Sequence, residues 1–166
     1  VFPLSWISLY SDQSTVDVLN VQMVGAVFAA GAIVISGWLA DRIGRRNLLG
    51  TMAVLIGLFS LAVPFLLKGG STGNNIFILV GFILLGLSYG QSSGTVTNNF
   101  STHFRYTGAA LSTDLAWLFG AAFAPLVALG LSAKFGLLAV TVYLLSGAAC
   151  TLLALKLNKV FEQREV

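Results

Sequence analysis

The chain has 166 residues, of which 57% are hydrophobic and only 9% are charged, and its mean hydropathy is +0.90. This balance excludes an ordinary soluble domain, in which about a quarter of the residues are charged. The net charge of +3 does not indicate nucleic-acid binding, because the basic residues lie between apolar segments and in the C-terminal tail, where membrane topology places them. The composition predicts an integral protein of the lipid bilayer.

The predicted elements begin with residues 1–10, an apolar and aromatic stretch that is too short to span a bilayer and is interpreted as the end of a longer, truncated helix. Five apolar segments of about 20 residues follow, the length that a spanning helix requires. These segments are residues 18–40, 47–67, 76–98, 108–131 and 135–157. Pro125 interrupts the fourth segment, a flexible turn is predicted for residues 68–75, and residues 158–166 form a charged tail. The sequence predicts an all-α membrane protein with five full transmembrane helices plus the end of a sixth.

Basic residues are distributed unevenly between the two ends of these segments. The richer end carries Arg42, Arg45, Arg46, Arg105, Lys156, Lys159 and Arg164. The other end carries Lys68 and Lys134. Since cytoplasmic loops are enriched in arginine and lysine, the sequence predicts that the richer end and the C-terminus are cytoplasmic.

The densest charge cluster is GWLADRIGRR, from Gly37 to Arg46, between the first and second segments. Asp41 falls at the C-terminal end of a helix, where the helix dipole disfavours an anion, so a cation or another helix N-terminus is expected nearby. Gly44 is expected to adopt the positive φ of a short reversal, and Gly37 to allow another helix to approach closely. A charged turn that only sets topology explains the arginines but not the whole pattern.

Polar side chains line one face of the third segment. Ser88, Gln91, Thr95 and Asn98 follow one another at spacings of three, four and three, which stacks them along a helix. Hydrogen-bonding groups at membrane depth are tolerated where they meet another helix or a water-filled cavity. The stripe therefore predicts either a transport cavity or interhelical hydrogen bonds without a ligand.

A different face of the same segment carries small residues. Gly86, Gly90 and Gly94 repeat every fourth residue, which predicts a seam for close helix packing and no chemistry. The second and fifth segments have little polar character and are expected to face lipid.

Asp114 is the one carboxylate well inside an apolar segment. It lies nine residues after Arg105, about 13 Å along an ideal helix and close to the middle of a bilayer core. An ionisable group at that depth is costly unless it is hydrated, paired or protonated, so a functional role in proton coupling is the default hypothesis. A permanently hydrogen-bonded structural acid is the alternative. Trp117, three residues later, either stacks on a planar substrate or, as the simpler interpretation, fills space.

The loop residues resemble a known family signature. Gly37, Leu39, Ala40, Asp41, Arg42, Gly44, Arg45 and Arg46 match the G-x-L-A-D-R-x-G-R-R loop of the major facilitator superfamily of secondary transporters. Phe100, Thr102, Arg105, Tyr106, Thr107 and Gly108 resemble the link between the tenth and eleventh helices in its metabolite:proton symporter branch. Asn99, Ser101 and His103 depart from the pattern E-x-F-P-T-R-x-R-Y-T/S-G of that link.

The resemblance implies the C-terminal helical bundle of this fold, namely the end of the seventh helix and helices eight to twelve. It implies a bacterial inner-membrane carrier that moves small organic acids or related metabolites by proton symport, with the N-terminal six-helix half as partner and alternating access as mechanism. No metal and no cofactor are expected. The gating residues expected from it are Gly37, Asp41, Arg42, Gly44, Arg45, Arg46 and Arg105. The cavity or proton-coupling residues expected are Asp114, Gln91, Ser88, Thr95, Asn98 and Trp117.

Two other classes of function remain open at this point. A channel or a structural membrane subunit would show the same segments but would not require the loop signature. An enzyme is not predicted, because the sequence offers no set of catalytic or metal-binding side chains at membrane depth. His103, in a polar loop, and Cys150, in an apolar segment, are interpreted as solvated and packing residues respectively.

Overall fold

The computed structural model describes residues 2–11, 13–98 and 100–162, except for the side chains of residues 2, 91–95, 98, 121 and 158–162. The described part is helical and contains no strand. Its elements are α1 (Phe2–Tyr10), α2 (Thr15–Ile43), α3 (Arg45–Lys68), α4 (Gly70–Asn98), α5 (Arg105–Ala116), a π-helical segment (Trp117–Ala122), α6 (Ala124–Phe135) and α7 (Leu137–Glu162). Five stretches are long and apolar enough to cross a membrane: Thr15–Ile43, Arg45–Lys68, Gly70–Gly90, Arg105–Phe135 and Leu137–Leu157. The predicted all-α membrane architecture with five spans is confirmed.

Helices α2 and α4 run parallel and pack closely through small residues. A Cβ atom built at Gly86 would lie 2.4 Å from the carbonyl oxygen of Ala29, and one at Gly90 would lie 3.0 Å from Ser36 Oγ. Ser36, which is fully buried, donates a hydrogen bond of 2.7 Å to the carbonyl oxygen of Leu87. The predicted packing seam is confirmed for Gly86 and Gly90, whereas Gly94 lies outside the residues whose surroundings are described.

Two apolar clusters hold the ends of the bundle. Ala40, Leu48 and Met52 are buried together at the turn between α2 and α3. The cluster at the other end consists of Ile7, Val18, Val63, Leu67, Phe77 and Ile78. These contacts fix the antiparallel arrangement of α2 and α3, as expected for two helices joined by a short turn.

The helix directions place Arg42, Arg45, Arg46, Arg105 and Lys156 at one end of the bundle. The turn after α2 and the end of α4 share this end because α2 and α4 are parallel. Arg46 contacts the backbone of α7 near its C-terminus by donating a hydrogen bond to the carbonyl oxygen of Leu155. The end of the bundle that carries these five residues is the arginine-rich end. Helices α3 and α6 finish at the opposite end with Lys68 and Lys134.

The turn predicted for residues 68–75 is much shorter in the structure. Helix α4 begins at Gly70, which has a φ of 69°. Gly73 lies against α3, since a Cβ atom there would be 2.1 Å from the carbonyl oxygen of Leu66. The fully buried Asn74 donates to Gln13 Oε1 at 3.2 Å. Long-range side-chain contacts therefore keep this polar stretch helical, which its composition alone did not indicate.

The fourth span is interrupted, but not at the proline. Helix α5 passes into the π-helical segment and bends at Phe123, while Pro125 lies in the first turn of α6. A proline in a helix removes a hydrogen bond to the carbonyl four residues earlier and clashes with it. For Pro125 that carbonyl belongs to residue 121, which lies inside the π-helical segment. The interruption of the span therefore lies two residues before Pro125, the position predicted for it. Helix α7 begins at Leu137 after Gly136, two residues later than expected.

Candidate functional site

The turn at the arginine-rich end is built on a single glycine. Gly44 has a φ of 84°, its N–H donates to the carbonyl oxygen of Ala40 at 2.9 Å, and its own carbonyl accepts from the Leu48 N–H at 3.0 Å. Asn47 Nδ2 donates to the carbonyl oxygen of Ile43 at 3.0 Å. The positive φ predicted for Gly44 is confirmed, because only a residue without a Cβ adopts this geometry at little cost.

Asp41 is exposed in the last turn of α2 and forms no ion pair with any residue that the structure describes. Arg42 instead places its guanidinium 4.2 Å from the centre of the Trp38 ring. Arg46 is held against α7 by its bond to the Leu155 carbonyl, and Arg45 is exposed. Compensation of Asp41 by a neighbouring arginine is therefore not found within the described chain.

Gly37 and Arg105, two further residues of the predicted gating set, lie at the surface. A Cβ atom at Gly37 would meet open space, so the close approach of another helix that was expected there is not made by any described residue. Arg105 is exposed at the first position of α5. Both lie on surfaces that the described chain leaves open.

A cavity of about 600 Å³ lies between α3, α4 and α7. Its walls are mainly hydrocarbon, with hydroxyl groups from Ser88, Tyr89, Tyr143, Ser146 and Thr151. Ser88 Oγ is shielded from solvent and has no hydrogen-bond partner among the described residues. Ser88 thus faces a cavity shared with α3 and α7, the two helices that were expected to be peripheral. The side chains of Gln91, Thr95 and Asn98 lie outside the described residues.

An aromatic pair joins α4 to the start of the π-helical segment. The rings of Tyr89 and Trp117 meet edge to face, with centroids 6.4 Å apart and an interplanar angle of 73°. Both side chains are about half exposed, so each contributes to the pair and also presents apolar surface to its surroundings. Trp117 therefore makes a packing contact with Tyr89, and the rest of its surface is exposed and available for stacking.

Asp114 lies one turn before Trp117 and is exposed. Its carboxylate forms no ion pair and accepts no hydrogen bond from the described residues. Its backbone carbonyl shares the Trp117 N–H with the carbonyl of Thr113, at the point where the α-helix gives way to the π-helical segment. Among the described long helices, α5 packs only on α4, and Asp114 is exposed.

The structure thus brings together Ser88, Tyr89 and Trp117 near the α3, α4 and α7 cavity, with Asp114 one turn away on α5. Asp41, Arg42, Arg45, Arg46 and Arg105 form a separate group at the arginine-rich end. Tyr89 was missed by sequence reasoning. The signal available was an aromatic residue directly after Ser88, but only the fold shows that it meets Trp117.

Comparisons with known proteins agree with this architecture. The family model described as the Major Facilitator Superfamily matches residues 1–114. An inner membrane metabolite transport protein of Escherichia coli K12 is 39% identical over 136 residues, covering 80% of this chain and 31% of that protein. A protein of Haemophilus influenzae named for metabolite transport is 39% identical over 134 residues, covering 80% and 30%.

The shikimate transporter of Escherichia coli K12 is 29% identical over 149 residues, covering 85% of this chain and 33% of that protein. The chain spans about a third of the length of these relatives. No solved structure matches it significantly. Since the family model covers more than half of the chain and the five apolar spans fit its architecture, the chain belongs to the Major Facilitator Superfamily.

Proposed function

We propose that this chain is the C-terminal bundle of a secondary active transporter that moves small organic acids or related metabolites by proton symport. In this proposal it pairs with an N-terminal six-helix half, and the two halves alternate access to a site between them. Family membership and relatives named as transporters support a transporter rather than an enzyme. The names of those relatives, which include metabolite and shikimate transport, support small polar metabolites as the substrate class.

The observation that carries the proposal is the unpaired carboxylate of Asp114 in the middle of the fourth span. A charged side chain exposed to lipid at that depth costs several kcal/mol, whereas a water-filled cavity or a proton removes the cost. The adjoining surface of Tyr89 and Trp117 offers apolar and aromatic contact. A titratable group beside such a surface is the arrangement that couples proton uptake to the binding of a small organic molecule.

The same reasoning applies at the arginine-rich end. The carboxylate of Asp41 lies where the dipole of α2 disfavours it, and no described cation pairs with it. We infer that its partner belongs to the N-terminal half, so that Asp41 helps to close one side of the transport pathway. The excess of cations at this end supports a cytoplasmic location for it in an inner membrane.

The proposal is tested by measuring uptake of radiolabelled organic acids into vesicles that contain the intact protein, with and without an imposed pH gradient. We expect saturable uptake that exceeds equilibrium only when the gradient is present. Vesicles that contain the 166-residue chain alone serve as the control and should show no such uptake, because half of the cavity wall is missing. Uptake that is unsaturable and never exceeds equilibrium would instead indicate a channel.

Replacing Asp41 by asparagine should slow transport by the intact protein about tenfold while leaving its amount in the membrane near normal, since a lost charge-assisted bond is worth about 1.5 kcal/mol or more. The arginines that set topology remain in this variant. Initial rates of uptake, normalised to protein measured by immunoblot, provide the readout. The matched control is Asp17→Asn, which removes an exposed aspartate from the opposite end of α2. Equal rates for the Asp41 variant and the unmodified protein would show that the turn only sets the membrane topology and does not act in transport.

A further inference from the structure

A second cavity lies at the arginine-rich end, between α3 and α7. It has a volume of about 420 Å³ and is lined by Arg46, Asn47, Gly50, Thr51, Leu152, Leu155 and Lys156. Arg46 belongs to the first turn of α3, and Lys156 is the first charged residue of α7, nineteen residues after the start of that helix at Leu137. The cavity therefore sits at the depth where lipid headgroups meet the hydrocarbon core.

Its chemistry is that of an anion site with an apolar floor. Two cationic side chains from different helices line it, and no carboxylate is present among the described residues that do so. Asn47 and Thr51 add polar groups beside the cations. Arg46 is already oriented by its bond to the Leu155 carbonyl, which fixes the guanidinium against the cavity wall.

The apolar residues of the cavity and of its two helices favour an amphipathic ligand. Leu152 and Leu155 line the cavity, and Leu153 on α7 and Leu58 on α3 are each about 60% exposed. Gly50 lacks a side chain and so leaves the indentation open; a Cβ atom there would only touch Leu155 at 3.8 Å. If the phosphate of a phospholipid lay beside the two cations, the acyl chains of that lipid could lie along these leucines.

We propose that this groove binds the phosphate of an anionic phospholipid, with Arg46 and Lys156 holding the headgroup. Basic pockets between transmembrane helices near a membrane surface bind lipids of this class. The residues that line the site belong to α3 and α7, whereas Asp114 belongs to α5, and the lipid proposal does not depend on the transport proposal. A soluble phosphate would share the headgroup contacts but would gain nothing from the leucines.

The test is a native mass spectrometry titration of the intact protein in detergent with palmitoyl-oleoyl phosphatidylglycerol, and separately with the phosphatidylcholine of the same chains. Phosphatidylglycerol should bind more tightly. Arg46→Gln and Lys156→Gln should each weaken its binding about fivefold, and the double variant about 25-fold, as expected for headgroup charges near a membrane surface. Arg45→Gln removes the same charge one residue away from the cavity and should change binding by less than about twofold.

Two further variants separate binding from folding. Arg46→Lys keeps the charge and should retain most of the affinity, while Gly50→Leu fills the indentation and should weaken binding without removing any charge. Equal affinity for the two lipids, or an equal loss in Arg45→Gln, would overturn the proposal. Displacement of phosphatidylglycerol by millimolar inorganic phosphate would also overturn it and indicate a site for a free anion.

Discussion

Replacing Asp114 by asparagine is expected to abolish uphill accumulation of substrate by the intact transporter while leaving substrate exchange across the membrane in place. Asparagine keeps the size of the side chain and much of its hydrogen bonding but cannot take up or release a proton. A proton that moves through 100 mV carries about 2.3 kcal/mol, enough for a roughly 50-fold concentration ratio of substrate. Without titration at residue 114 that ratio should fall to about 1, because nothing then links the two movements.

The measurement compares net accumulation driven by a pH gradient with counterflow of labelled substrate at equal pH. Asp114→Glu keeps a titratable carboxyl and should retain part of the accumulation, so it serves as the matched control. Accumulation against a gradient by Asp114→Asn would show that the residue is structural and that the coupling group lies elsewhere. Loss of both accumulation and counterflow would show instead that Asp114 is needed for substrate movement itself.

A substitution at Trp117 would be harder to interpret than one at Asp114. Trp117 lies one turn from Asp114 and contacts Tyr89. A change at Trp117 alters the apolar surface and the packing of α5 on α4 together. Asp114 is exposed and forms no side-chain hydrogen bond or ion pair with the described residues, so we expect its replacement to leave the aromatic pair intact. The effect of the asparagine variant is therefore assignable to the carboxyl group.

The parts of the fold that follow from local sequence were predicted well. Apolar length predicted the five spans, since a helix needs about 20 residues to cross the bilayer. The four-residue spacing of Gly86 and Gly90 predicted a close contact, and α2 makes it. Gly44 was recognised because a one-residue reversal between two helices requires a positive φ.

Contacts between distant segments could not be predicted in the same way. Asn74 looks like a turn residue, yet it is fully buried against Gln13, 61 positions away. Tyr89 and Trp117 lie on separate helices, and only the packing of α5 on α4 brings their rings together. The open surroundings of Gly37 arise because none of the helices that the structure describes covers it.

In the candidate site, too, the sequence identified individual residues but not their neighbours. Residue type and depth were enough to propose Asp114 as a candidate, because an ionisable group in mid-span is costly unless it is hydrated, paired or protonated. Helical spacing was not enough to predict the surroundings of Ser88, since periodicity shows which residues share a helix face but not which helices pack against that face. The structure turns Ser88 towards α3 and α7, helices whose apolar composition had suggested lipid contact alone.

The second large effect is expected at Gly86, where even one added methyl group should destabilise the bundle. A Cβ atom at this position would lie 2.4 Å from the carbonyl oxygen of Ala29 and 3.0 Å from Ala32 Cβ, so α2 and α4 must move apart to admit it. Overpacking of this kind costs about 1–3 kcal/mol for a small addition and more for a large one. Gly86→Ala should lower the midpoint of thermal unfolding of the detergent-solubilised protein, and Gly86→Leu should prevent accumulation of folded protein.

Gly81 provides the control on the same helix. A Cβ atom there would meet nothing within 4 Å, so Gly81→Ala adds the same methyl group without a clash. Its midpoint should stay the same or rise slightly, because alanine favours a helix over glycine by about 1 kcal/mol. Equal midpoints for the two alanine variants would mean that α2 and α4 lie farther apart than the short distance between Gly86 and the Ala29 carbonyl indicates. The hydrogen bond from Ser36 to Leu87, which joins the same two helices, would then also be contradicted.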